Sequence, residues 1–349
     1  MNTELIKIDV NNIDEDAMTR AGLVIKSGGL VAFPTETVYG LGGDALNPSS
    51  SKKIYEAKGR PSDNPLIVHI ADMDDLESIV SEIPEIARKL AKAFWPGPLT
   101  MIFNKSDKVP YETTGGLNTV AVRMPDNKIA LDFIKKSGGY VAAPSANKSG
   151  RPSTTKAIHV MEDMDGRIDM IIDGGSSTIG LESTIVDLTG TVPMILRPGY
   201  ISMKRLSMLV GEVEFDPAIV NSDVKSAPKA PGMKYKHYAP KGELAIIKGD
   251  ESKVINYIKT QSKEALANGE RVGIIATDET YLNYQATVVQ NIGSKDDEET
   301  IARRLYAVLR EFDADDITRI YSEDFDTPNM GQAIMNRLIK AAGHTIITL

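Results

Sequence analysis

Apolar positions along this chain switch repeatedly between a helical and a strand period. From Asp14 to Ser27 the residues Ala17, Ala21 and Val24 fall on one helix face, and Gly28 follows as a stop. Leu30–Phe33 is a short unbroken apolar run ending at Pro34, as expected of a strand buried on both faces. The same reading predicts helices at 49–57 and 84–94 and strands at 66–70, 99–103, 120–122, 140–143, 170–172 and 184–187. Short apolar strands separated by helices predict an α/β sheet for the N-terminal part.

After a helix predicted at 201–209 the periodicity lapses. Residues 211–241 read as an ordered linker, because their prolines restrict the backbone and their tyrosines can pack. Alternation resumes at Glu243, with strands predicted at 244–247, 272–275, 288–292, 317–321 and 345–348 and helices at 251–267, 298–312 and 331–342. This second pattern predicts a smaller, Rossmann-like, doubly wound α/β domain. Its first strand is not followed by the glycine-rich nucleotide loop of that fold, which suggests a scaffold or lid more than a second catalytic centre. The expected organisation is therefore a domain over 1–210, a linker or lid over 211–241 and a second domain over 242–349.

Composition narrows the chemistry. The 349 residues contain no cysteine and four histidines, which excludes disulfides, thiolate metal sites and a cysteine nucleophile. A net charge of −8 argues against broad affinity for nucleic acid. Against that background Ser226–Lys241 carries Lys229, Lys234, Lys236 and Lys241 and no acid. No apolar run approaches the roughly 20 residues of a membrane span, and no signal peptide is legible, so a cytoplasmic location is expected. Neither a P-loop nor a nucleophile elbow is present.

The densest chemistry lies at Lys58-x-Arg60-x-Ser62-x-Asn64, directly before the apolar run 66–68. Arg60 can fork onto phosphate oxygens, Lys58 can act as a point charge, and Ser62 and Asn64 add neutral donors. Pro61 and Pro65 fix the backbone around these groups, which favours a polyanion clamp over a solvated basic turn. Two readings stand for Pro34–Gly42, a helix start capped by Thr35 or Thr37 and a ligand-binding turn at the end of a strand. Ser145, in the turn 144–153, lacks an adjacent base and reads as a ligand donor, not a nucleophile. Arg123 closes an apolar strand and must find an anion, and Ser183 and Arg197 also stand at strand ends. His69, alone on its strand, reads more readily as structural than as functional.

Together the segments at 34–42, 58–66, 95–100, 120–125, 143–153, 183–187, 196–199 and 231–240 resemble the YrdC-like family, and the chain as a whole resembles its long, two-domain form. The resemblance implies a twisted mixed α/β sheet for the first domain. It also implies an enzyme that joins L-threonine, bicarbonate or carbon dioxide, and ATP into threonylcarbamoyl-adenylate, releasing pyrophosphate. That product would pass to a complex that modifies tRNA, with no tight binding of tRNA by the enzyme itself. On this analogy Lys58 and Arg60 are catalytic, and Lys58, Arg60, Ser62, Asn64, Thr119, Ser145, Ser153, Arg197 and Tyr235 hold ATP, with Mg²⁺ carried on the phosphates and not by protein ligands. Thr37, His69, Arg123, Ala143 and Ser183 would hold threonine, Arg123 meeting its carboxylate. Two rivals share the fold. An RNA-binding or regulatory module is disfavoured by the acidic charge, and a carbamoyl-transfer enzyme of the hydrogenase-maturation type by the absence of cysteine.

Overall fold

The computed structural model describes residues 2–220, 237–325 and 327–349. The chain divides into two compact units. One holds the described residues up to 220 except two short segments, and the other holds 237–349 together with Gly150–Pro152 and Ile179–Leu181. Of the predicted linker, residues 221–236, with Tyr235, Lys229, Lys234 and Lys236, lie outside the described residues.

The first unit runs β1 (Glu4–Lys7), α1 (Glu15–Lys26), β2 (Val31–Phe33), β3 (Gly40–Asp44), α2 (Pro48–Lys58), β4 (Ile67–His69), α3 (Met73–Ile79), α4 (Glu85–Phe94), β5 (Leu99–Asn104), α5 (Tyr111–Thr114), β6 (Thr119–Arg123), α6 (Lys128–Lys136), β7 (Val141–Ala142), α7 (Ala157–Met164), β8 (Met170–Asp173), β9 (Thr184–Asp187), β10 (Met194–Arg197), α8 (Met203–Val210), β11 (Glu214–Phe215) and α9 (Pro217–Val220). Among the described residues, eleven strands form one mixed sheet in the order β1-β8-β2-β3-β7-β4-β6-β5-β9-β10-β11. The unbroken apolar runs are explained by burial on both faces. Val31 and Phe33 join a cluster with Met18, Ile129 and Phe133, while Leu30 and Ala32 join another with Leu41, Val68 and Val122.

Local chemistry sets the element that leads into the charged loop. Asn47 caps α2 by accepting from Ser49 N, Pro48 occupies the first turn, and Gly59 ends the helix at φ +62°, where a side chain would be strained. Lys58 is thus the last helical residue, one position beyond the predicted end, where the helix dipole favours a cation.

The capped helix start considered for Pro34–Gly42 does not form. Thr35 Oγ1 instead donates to Val38 O at 2.6 Å and accepts from Thr37 N and Val38 N, closing a turn into β3. β3 runs antiparallel to β2, pairing Phe33 with Gly40 and Val31 with Gly42. A Cβ on Gly42 would stand 2.9 Å from the Val141 side chain, so the glycines that hide this strand from periodicity are what let it pack.

In the second unit β12 (Glu243–Lys248), β13 (Val272–Ala276), β14 (Val288–Asn291), β15 (Arg319–Glu323) and β16 (Ile346–Thr348) form a wholly parallel sheet in the order β14-β13-β15-β12-β16. Helices α10 (Glu251–Ala267), α11 (Glu298–Ala314) and α12 (Gly331–Ala341) supply three of its four crossovers, as the alternation predicted, while β13 and β14 are joined through a 3₁₀ turn at Tyr281–Asn283. The fourth strand starts and ends two residues later than predicted, with Ile317 and Thr318 lying between the turn at 315–316 and the strand.

Candidate active site

Several of the singled-out side chains meet at one end of the first unit's sheet. β4 and β6 are parallel neighbours, and their register places His69 beside Arg123. Arg123 is buried; its Nε donates to Gly97 O at 3.3 Å and its Nη1 to Thr37 Oγ1 at 2.8 Å. Its Nη2 lies 2.6 Å from Glu36 Oε1 as an ion pair, but without the alignment of a hydrogen bond. The anion that Arg123 required is thus a buried carboxylate from the turn after β2. Ala143 N donates to Ile67 O at 2.8 Å, which ties the end of β7 to the same edge. His69 packs edge-on against Phe33, with Nδ1 3.1 Å from Ile67 O. Burial, and secondarily Arg123, lower its pKa to about 3, so the ring is neutral near neutral pH.

Ser183 stands just before β9, where its Oγ is 2.7 Å from Thr100 Oγ1. Arg197, ending β10, donates from Nε to Ser183 O at 3.1 Å and from Nη2 to Ser183 Oγ at 3.2 Å. Ser153 is fully buried and donates to Glu182 Oε1 at 2.6 Å. Arg197 and Ser153, assigned by resemblance to the nucleotide, therefore touch Ser183 and its neighbour Glu182, on the side assigned to the amino acid.

A second cluster surrounds the loop after α2. Lys58 is buried, and its Nζ donates to Ser145 O at 2.5 Å and to Asn147 O. Ser145 Oγ donates to Asn147 Oδ1 at 2.5 Å, an amide oxygen and not a base, in keeping with a ligand-donor role. Arg60 forks onto its own loop, from Nε to Asn64 O at 3.1 Å and from Nη2 to Pro65 O at 3.0 Å. Asn64 is buried, and among the described residues its Oδ1 has no hydrogen-bond partner. Ser62 is exposed at the loop tip. Thr119 opens β6 at the strand end opposite Arg123, so it does not join the Arg123 cluster. The segment 143–147 bridges the two clusters, since Ala143 pairs with β4 while the carbonyls of Ser145 and Asn147 hold Lys58. Among the described residues no group of three or more acidic or histidine side chains could hold a metal ion, and no helix is long and apolar enough to cross a membrane.

Comparison with known proteins shows what this arrangement belongs to. Residues 23–199 match the family model described as telomere recombination, and residues 201–343 match the model for the threonylcarbamoyl-AMP synthase C-terminal domain. The threonylcarbamoyl-AMP synthase of Pyrococcus abyssi is 48% identical over 96% of this chain and 96% of its own length. This chain belongs to the threonylcarbamoyl-AMP synthase family. The Bacillus subtilis member is 46% identical, covering 99% of this chain and 100% of its own. The solved structure of P. abyssi Sua5 complexed with L-threonine superposes with a TM-score of 0.94 at 47% identity, over 99% of this chain and 100% of that one. The two-domain α/β architecture is thus shared with P. abyssi Sua5 along the whole length.

Four site residues escaped the sequence reading: Glu36, Thr100, Asn147 and Glu182. Glu36, Asn147 and Glu182 lie within or beside segments that had been singled out, but their partners are 87, 89 and 29 positions away. Thr100 sits in an apolar strand and is visible only through its contact with Ser183.

Proposed function

We infer that this chain joins L-threonine, bicarbonate or carbon dioxide, and ATP into threonylcarbamoyl-AMP and pyrophosphate. The observation that carries this reading is the full-length likeness to named threonylcarbamoyl-AMP synthases. The geometry accords with the chemistry. Carbamate formation and attack of its oxygen on the α-phosphorus need no covalent enzyme intermediate, so catalysis rests on positioning and on neutralising phosphate charge.

In this reading Lys58, Arg60, Ser62 and Asn64 face the phosphates, with Ser145 and Thr119 beside them and Ser153 and Arg197 reaching from the Ser183 side. Tyr235 belongs to the same proposed set but lies outside the described residues. Arg123 receives the threonine carboxylate, with Thr37, His69, Ala143 and Ser183 around it. Mg²⁺ would neutralise phosphate charge; the described residues offer it no carboxylate cage, so it would be held mainly by the nucleotide. The product then passes to a separate tRNA-modifying complex.

The test is pyrophosphate release from ATP by the full chain with Mg²⁺. Release is expected only when both L-threonine and bicarbonate are present. Turnover that continues without either one overturns the reading.

A further inference from the structure

Glu36 is a buried carboxylate that the fold supplies with almost nothing. Its relative exposure is 6%, and among the described residues neither side-chain oxygen has a hydrogen-bond partner. A buried ionised carboxylate ordinarily accepts two or three hydrogen bonds, and leaving one without them is costly. The turn that carries Glu36 is otherwise fully engaged: Thr35 closes it, Thr37 holds Arg123, and Thr178 Oγ1 reaches the Glu36 main-chain carbonyl at 3.5 Å. Among the described residues its one ionic neighbour is Arg123 Nη2, at 2.6 Å and misaligned. Arg123, by contrast, is anchored through Nε and Nη1 to Gly97 and Thr37, while its Nη2 has no hydrogen-bond partner among the described residues and is open to an incoming anion.

We propose that Glu36 is the proton acceptor for the substrate's amine during carbamate formation. This rests on the threonine site inferred above. When a substrate carboxylate takes Arg123 Nη2, the carboxylate already there is released next to it. In an α-amino acid the amine lies one carbon from the carboxylate, within reach of that displaced group.

The step balances as follows. The ammonium loses one proton to solvent on entering the site. The nitrogen lone pair then forms the N–C bond to the carbon of carbon dioxide, one C=O π pair moves onto oxygen, and the second N–H proton passes to a Glu36 oxygen. The resulting carbamate oxygen is the nucleophile toward the α-phosphorus. Among the described residues Glu182, beside Ser183, already accepts from Ser153 Oγ, and His69 on β4 is a further group that could take a proton. Its neutral ring is a poor acceptor, since burial and Arg123 both oppose its protonation. Arg123 on β6 is the facing cation.

The test is steady-state pyrophosphate release by the full-length Glu36→Gln and Glu36→Asp variants with ATP, Mg²⁺, bicarbonate and L-threonine. Gln keeps the volume but cannot take a proton. E36Q is expected to lose about 100-fold or more in kcat, the usual scale of general-base catalysis. Its KM for threonine should move by less than about tenfold, because a competitor for Arg123 has been removed, and ATP affinity should hold. E36D, with a carboxylate one methylene short, should recover part of the loss.

An E36Q variant within about threefold of the native kcat would overturn the proposal. So would equal impairment of E36Q and E36D with both KM values raised together, which marks a purely structural role. A native chain that needs no threonine sinks the reading of the whole site, whereas a threonine-dependent native chain with an active E36Q sinks only the role of Glu36.

Discussion

His69 brings its imidazole into a dry edge of the sheet beside a guanidinium, and this links local burial to the stability of the first unit. Its folded pKa, about 3, lies below the unfolded value near 6.5, so between these limits the unfolded chain binds more protons than the folded one. The neutral ring's contribution is complete above pH 6.5 and is lost progressively as pH falls toward 3. At pH 5 the loss is about 2 kcal/mol relative to pH 7, from about 1.4 kcal/mol per unit. Urea denaturation of the native chain and of His69→Gln at both pH values isolates the effect. The native chain should lose about that much more stability than the variant, and equal losses would count against the buried neutral ring. Part of this site was legible residue by residue, because Arg123 had to find an anion. Its partner Glu36 was not legible, since no local pattern reports a contact spanning 87 positions.

At the scale of elements, the loop after α2 was readable because its signals are local. Gly59, Pro61 and Pro65 shape the backbone within seven residues of the polar groups they present. Helix α6 was missed although Asn127 caps it and Ile129, Ala130, Phe133 and Ile134 form a buried stripe, because nine residues give only a short window for the helical period. β3 was missed because its glycines carry no periodic signal. The loop itself yields a prediction. Arg60 uses its planar fork to hold two carbonyls of its own turn, which a lysine's single ammonium cannot match. Arg60→Lys is therefore expected to weaken ATP binding about tenfold, or about 1.4 kcal/mol, by calorimetry. Unchanged affinity would mean that the fork plays no part in presenting the loop.

For the molecule as a whole, the two alternating α/β patterns correspond to two compact units. The parallel second sheet followed from its helical crossovers. The strand order of the first sheet did not follow from periodicity, since hairpins and crossovers give similar apolar runs; the family resemblance supplied its mixed character and not its order. Net charge acts at this scale too. With −8 overall, the full chain should bind tRNA no tighter than about 1 µM at physiological salt, the range of non-specific contact. Filter binding with unmodified tRNA checks this, and saturable nanomolar binding would revive the RNA-binding reading.

The contact between Lys58 and the turn at 145–147 has a consequence for how the site tolerates change. The donor is a side chain, but both acceptors are main-chain carbonyls, which most substitutions at positions 145 and 147 leave in place. The burden of preserving the joint falls on the lysine alone. Apart from the ATP-donor role proposed for Ser145, drift at this joint should be one-sided, permissive on the turn and strict on the helix end.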